Sequence, residues 1–106
     1  MSNDKDLQWR PCDFTSAVVR ADERPEHYVL EVTGEAKSSE LVPVAKLSPR
    51  VYIERPDYWE IDVYERGDSP FLEKDHFDLS LSLDRCRGIK GIRVVGRRSS
   101  KQIDVP

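Results

Sequence analysis

A chain of 106 residues with 17 basic and 20 acidic side chains carries a formal charge of −3, and 38% of it is hydrophobic. That size suits one domain with a single core held without obligatory disulfides or metal, and the apolar content argues against disorder throughout. No run of about 18 apolar residues occurs, and the start, Met1 to Asp6, lacks the basic-then-apolar order of a secretory signal. The expectation is a cytoplasmic protein that does not enter a membrane.

In chain order, residues 1–12 are polar and aperiodic and read as a loose arm that becomes ordered near Trp9, followed by one β domain over 13–106. Thr15 to Ala21 predicts a first strand. A turn of Asp22, Glu23, Arg24 and Pro25 leads into a second, where Tyr28, Leu30 and Val32 alternate with polar neighbours, so the two form a hairpin. Leu41 to Leu47 is strand-like but contains Pro43, which cannot donate a ladder hydrogen bond and so points to a sheet edge. Arg50 to Arg55 and Trp59 to Arg66 read as a hairpin across Pro56, Asp57 and Tyr58. An odd loop there pairs Ile53 with Ile61 and Val51 with Val63. Phe71 to Asp75 reads as a connection.

Phe77, Leu79, Leu81 and Leu83 then alternate without exception with Asp78, Ser80, Ser82 and Asp84. Strand side chains change face with period two, so this run demands a core on one side and water on the other. Ile89 to Gly96 and Lys101 to Val105 complete the pattern. No window of helical period escapes Pro, Gly or β-branched alternation. The expected fold is all-β, an antiparallel sandwich or flattened barrel of about seven to eight short strands with little or no helix. Its core is drawn from Val19, Tyr28, Leu30, Val32, Val51, Ile53, Trp59, Ile61, Val63, Phe77, Leu79, Leu81, Leu83, Ile92 and Val94.

Charge is polarised along the chain. From Arg85 to Lys101 there are seven basic residues and no acidic one, leaving −10 on the remainder. Arg85, Arg87, Lys90, Arg93, Arg97, Arg98 and Lys101 would be ligands for an anionic group or an acidic protein surface if they converge. The competing expectation is that they form cross-strand ion pairs worth about a few tenths of a kcal/mol each. Overall acidity disfavours nucleic acid, whose backbone the rest of the surface would repel.

A second group is expected on the outer face of the 50–66 hairpin, where Tyr52, Glu54, Tyr58, Glu60, Asp62 and Tyr64 share one side. Aromatic plates beside carboxylates suit sugars or basic peptides, although tyrosine is also simply a good strand former.

Other motifs carry less. Gly88-Ile89-Lys90-Gly91 has the G-x-x-G spacing of a backbone clamp but sits among strands rather than helices, where glycines serve turns. Cys86 lacks the following arginine at the sixth position that a phosphatase nucleophile needs, since Ile92 stands there. Cys12 and Cys86 belong to no C-x-x-C pair and read as free thiols. Glu73, Asp75, His76 and Asp78 contain oxygen and imidazole donors without a recognised metal spacing. No cofactor or metal is expected. The leading functional expectation is therefore a small non-enzymatic binding or protein-interaction module, with the basic segment 85–101 engaging an anionic ligand or acidic partner. The alternative is a small β-barrel enzyme with a carboxylate or carboxylate/His metal site.

Overall fold

The computed structural model describes residues 9–37, 45–66 and 74–106, with side chains at all of these but 37, 66, 74 and 75. Among them are eight strands and no helix: β1 (Trp9–Pro11), β2 (Ser16–Ala21), β3 (Tyr28–Lys37), β4 (Ala45–Pro49), β5 (Tyr58–Arg66), β6 (Lys74–Ser82), β7 (Gly91–Val95) and β8 (Ser100–Asp104). They form two sheets packed as a sandwich. One is three-stranded in the order β2-β3-β6; in the other β5 pairs with β4, β1 and β7, and β7 pairs with β8. Of the segments named above, 1–8, 41–44 and 71–73, with Pro43, Phe71 and Glu73 among them, lie outside the described residues.

Alternation built the three-stranded sheet as the chain dictates. Register sets Val19 beside Leu30, Leu30 beside Leu81, and Val32 beside Leu79, all on the inner face. Phe77 and Leu83 are buried, Leu79 and Leu81 half-buried, and the intervening Asp78, Ser80, Ser82 and Asp84 exposed. Phe77 needs one further concession. A Cβ on Gly34, its partner in β3, would sit 2.6 Å from the Phe77 ring, so glycine vacates the space that the ring fills.

The facing sheet contributes Ile61, Val63, Ile92 and Val94, each at 0% exposure, with Trp59 half-buried beside them. Ala17, Ala36, Ala45, Cys12, Cys86 and Val105 complete the buried set. The two thiols are buried and form no disulfide.

Three expectations are corrected. First, residues 50–57 are a loop and not a strand: Val51 and Ile53 are 96% and 104% exposed and belong to no core. Second, the strand that pairs with β5 here is β4, with Pro49 opposite Ile61 and Leu47 opposite Val63. The partner is four residues earlier than expected, an even slip that leaves the inward face of β5 unchanged. β4 pairs with β5 alone among the described residues, as an edge strand does. Third, β7 runs parallel to β5, so the second sheet is not wholly antiparallel.

The end of the sandwich that carries the β7–β8 turn is fixed by one carboxylate. Asp13 Oδ1 accepts hydrogen bonds from the main-chain N–H of Arg98 (2.7 Å) and Ser99 (3.0 Å) and from the Ser99 hydroxyl (2.9 Å). These bonds, led by that from Arg98, hold its pKa below the ordinary carboxylate value.

Two outcomes follow for urea denaturation. Ile61→Ala should cost about 2–5 kcal/mol as a buried large-to-small change, whereas Ile53→Ser should stay within about 0.5 kcal/mol; equal losses would contradict the loop assignment. Asp13, with its pKa depressed in the folded state, stabilises above its unfolded value near about 4, and that contribution vanishes as pH falls through the lower folded value. Asp13→Asn should therefore be less stable than wild type at neutral pH, and the gap should close below about pH 4. A gap independent of pH would rule out the ionised carboxylate as its source.

Candidate functional site

β5 places Tyr58, Glu60, Asp62 and Tyr64 on the outer face of its sheet by strict alternation, and there most of their polar groups are used internally. Arg50 donates to both oxygens of Asp62, from Nε at 2.9 Å and from Nη2 at 3.0 Å, and reaches Glu60 with Nη1. The pair of carboxylates raises the Arg50 pKa further. Arg93, opposite Glu60 across the parallel β5–β7 ladder, donates to Glu60 at 3.3 Å and to Gln102 at 2.5 Å. Tyr58 donates its hydroxyl to Asp104 at 2.6 Å, a bond that raises its pKa. Tyr52 is absent from this face. It turns instead onto Trp59, edge to face at 5.0 Å between ring centroids, and its hydroxyl accepts the Glu60 N–H at 3.3 Å.

The basic segment divides among three places. Arg93 is spent on the outer face. Arg97 and Arg98 occupy the β7–β8 turn, and Lys101 reaches from β8 to the Ala17 carbonyl of the other sheet at 2.8 Å. Arg85, Arg87 and Lys90 lie in the segment entering β7 from the opposite end, about 15 Å away for a five-residue strand. Lys90 stands 3.9 Å from Asp57, both exposed, which contributes little.

At that opposite end the chain builds a cleft. Its walls are the β2–β3 turn, the 50–57 loop and the 83–90 segment. The Gly88–Gly91 motif holds the last two together: Ile89 N–H donates to Pro56 O at 2.8 Å, and the N–H groups of Lys90 and Gly91 to Asp57 O at 2.8 and 3.2 Å. Arg55 closes the seam by donating to the carbonyls of Arg87 (2.9 Å) and Gly88 (3.0 Å). A side chain at Gly88 would overlap the Asp57 carbonyl, so the glycine spacing serves backbone contact within the chain.

The cleft has two lobes of about 570 and 560 Å³, and Tyr52, Trp59, Asp84 and Arg85 line both. His27, Tyr28, Ile53, Arg55 and Arg87 help line the first; Arg50, Val51, Leu81 and Cys86 help line the second. In 85–87 alternation turns Cys86 inward and leaves Arg85 exposed and Arg87 half-buried. Burial, assisted by Asp84, pushes the Cys86 thiol up, which keeps it protonated and unsuited to nucleophilic work. Arg87 stacks its guanidinium 5.6 Å from the Tyr28 ring centroid.

Asp84 is the acidic group shared by both lobes, and it is already engaged. His27 Nδ1 lies 2.8 Å from one of its oxygens and Arg24 3.3 Å from the other, and the His27 hydrogen bond chiefly lowers its pKa. By contrast, among the described residues Arg55, Arg85 and Arg87 make no ion pair with a carboxylate, while Arg10, Arg20, Arg24, Arg50 and Arg93 all do. Of the predicted ligands, then, the fold brings Arg85, Arg87 and Tyr52 to one place and leaves Lys90, Arg93, Arg97, Arg98, Tyr58, Asp62 and Tyr64 elsewhere.

Trp59, Tyr28 and Arg55 were missed as site residues. Trp59 and Tyr28 were assigned wholly to the core, and Arg55 lay in a presumed strand. The turn residue Pro56 beside Arg55 was the one local sign of a loop. Among the described residues no group of three or more His, Cys, Asp or Glu side chains is arranged to hold a metal; Glu73 of the sequence cluster, and the side chain of Asp75, lie outside that description. No described helix is long and apolar enough to cross a membrane. No family model, curated protein or solved structure matches this chain.

Gly88→Ala should destabilise by about 1–3 kcal/mol, as expected for a backbone-contact glycine, and shift Trp59 emission as the 50–57 loop is displaced. Trp9→Phe isolates that signal. Wild-type stability with unchanged emission would show that the two segments are not joined through this contact.

Proposed function

We propose that this chain is a non-enzymatic binding module that takes an anionic group, carboxylate or phosphate, in the cleft between the 50–57 loop and the 83–90 segment. The observation that carries this reading is the convergence of Arg55, Arg85 and Arg87, none paired with a carboxylate among the described residues, on a cleft walled by Tyr28, Tyr52 and Trp59. An anion about 4 Å from a guanidinium is attracted by about 1 kcal/mol in bulk water and about 4 kcal/mol beside a protein surface, so location in an aromatic-walled cleft outweighs charge count. Arg85 also offers a planar fork suited to two parallel hydrogen bonds to one carboxylate or phosphate. Arg97 and Arg98, on an open turn, lack such walls. Asp84 also lines the cleft, with its two oxygens engaged by His27 and Arg24.

Inorganic phosphate, succinate and a glutamate hexapeptide titrated against Trp59 emission in the Trp9→Phe protein test the reading. Arg85→Gln with Arg87→Gln should weaken binding by at least about tenfold and flatten its salt dependence, whereas Arg97→Gln with Arg98→Gln should change neither. Equal losses from both variants would move the site to the whole basic segment; no loss from the first would refute the cleft. Single-stranded DNA should bind more weakly than the hexapeptide, given the acidity of the remaining surface.

A further inference from the structure

We propose that the occupant of the cleft is an extended acidic polypeptide segment carrying bulky apolar side chains, which cover Val51 and Ile53; this rests on the anionic reading of the cleft and names its partner. Exposed single apolar residues are ordinary. Here two fully exposed β-branched side chains flank Tyr52, and Ile89, 61% exposed, stands on the neighbouring segment whose N–H is bonded to Pro56. Two exposed apolar side chains on one short span beside cationic groups are what an interaction site presents.

The segment is also held in place before any partner arrives. Arg50 N–H is bonded to Glu60 O at 3.0 Å, Trp59 Nε1 donates to Arg50 O at 2.9 Å, Tyr52 packs on Trp59, and Pro56 and Asp57 are bonded to the 89–91 backbone. Residues 51–54 form none of these main-chain bonds, so the apolar side chains are presented on a short span tied at both ends. Ordering that a partner would otherwise have to impose is already complete.

Three features select a polypeptide. The two lobes share Tyr52, Trp59, Asp84 and Arg85 in their linings, and a single small anion would fill only part of either. Ile53 lines the lobe that holds Arg55 and Arg87, and Val51 lines the lobe that shares Arg85, so each lobe offers apolar and cationic contacts together, as a segment carrying both kinds of side chain requires. Finally, Glu54 and Asp57 are exposed on the same loop and Glu26 on the cleft wall. A polypeptide can avoid or pair such carboxylates, whereas an anionic lipid surface or a nucleic-acid backbone would meet them as repulsion.

The test uses a fluorescein-labelled glutamate-rich dodecapeptide with two central leucines, the same peptide with serines in their place, and vesicles of phosphatidylcholine containing one third phosphatidylserine. The leucine peptide should bind wild type at least about tenfold more tightly than the serine peptide. In the variant carrying Val51→Ser and Ile53→Ser the ratio of the two peptide affinities should fall to about one, and vesicles should not bind wild type. Both substitutions are at exposed positions, and circular dichroism with urea denaturation verifies that the variant is folded. Equal binding of the two peptides, or an advantage that survives in the variant, would overturn the apolar contact while leaving the anionic cleft standing. Vesicle binding without peptide binding would overturn the polypeptide in favour of lipid. Failure of both peptides while phosphate or succinate still binds through Arg85 and Arg87 would overturn this proposal alone, and failure of every anion would overturn the cleft with it.

Discussion

β5 uses both of its edges. β4 pairs with residues 61–65 on one side, while β7 pairs with 58–62 and β1 with 64–66. The inward Ile61 and Val63 that result are fully buried at the centre of the sandwich. Everything at the functional end follows from this. Because β7 is parallel to β5, it must enter the sheet at the end where β5 begins, which brings 83–90 against 50–57. The hydrogen bonds of Pro56 and Asp57 to residues 89–91 then complete a wall that neither segment has alone.

The same pairing sorts the charges. Set side by side, β5 and β7 put Glu60 next to Arg93, and the β4–β5 hairpin returns Arg50 over Asp62, so the outer face of the larger sheet neutralises itself. Such partly exposed pairs add little individually to stability, but they remove carboxylates and guanidinium groups from further use. Among the described residues the arginines left unpaired by carboxylate are Arg55, Arg85 and Arg87 at one end and Arg97 and Arg98 at the other. The first trio has aromatic walls and half-buried surroundings; the second has neither. An anion gains most where water is partly displaced, and the function proposed above lies there for that reason.

The exposed loop shows how far local pattern reaches. Arg50 to Arg55 alternates apolar and polar as a strand does, a pattern that by itself assigns Val51 and Ile53 to a core. The pattern says only that such a segment could pair, not that an edge is available. β4 had taken the free edge of β5 four residues earlier in the chain, so 51–54 was left without a ladder and its β-branched side chains without a cover. The G-x-x-G spacing closes a turn from Gly88 to Gly91, where β7 begins, and its partner, the Asp57 carbonyl, is some thirty residues away in the chain.

Period-two alternation is a property of neighbouring residues, so the chain by itself determined the all-β class, the β2–β3 hairpin, and the inward faces of β3, β5 and β6, with Leu30, Ile61 and Phe77 where alternation put them. It also determined that positive charge is concentrated in 85–101. Which strands pair, that β7 lies parallel to β5, and which arginines meet a carboxylate depend on contacts between residues distant in sequence. Only the tertiary structure decided those, because the free energy of a strand edge or an ion pair belongs to two segments at once and is written in neither alone.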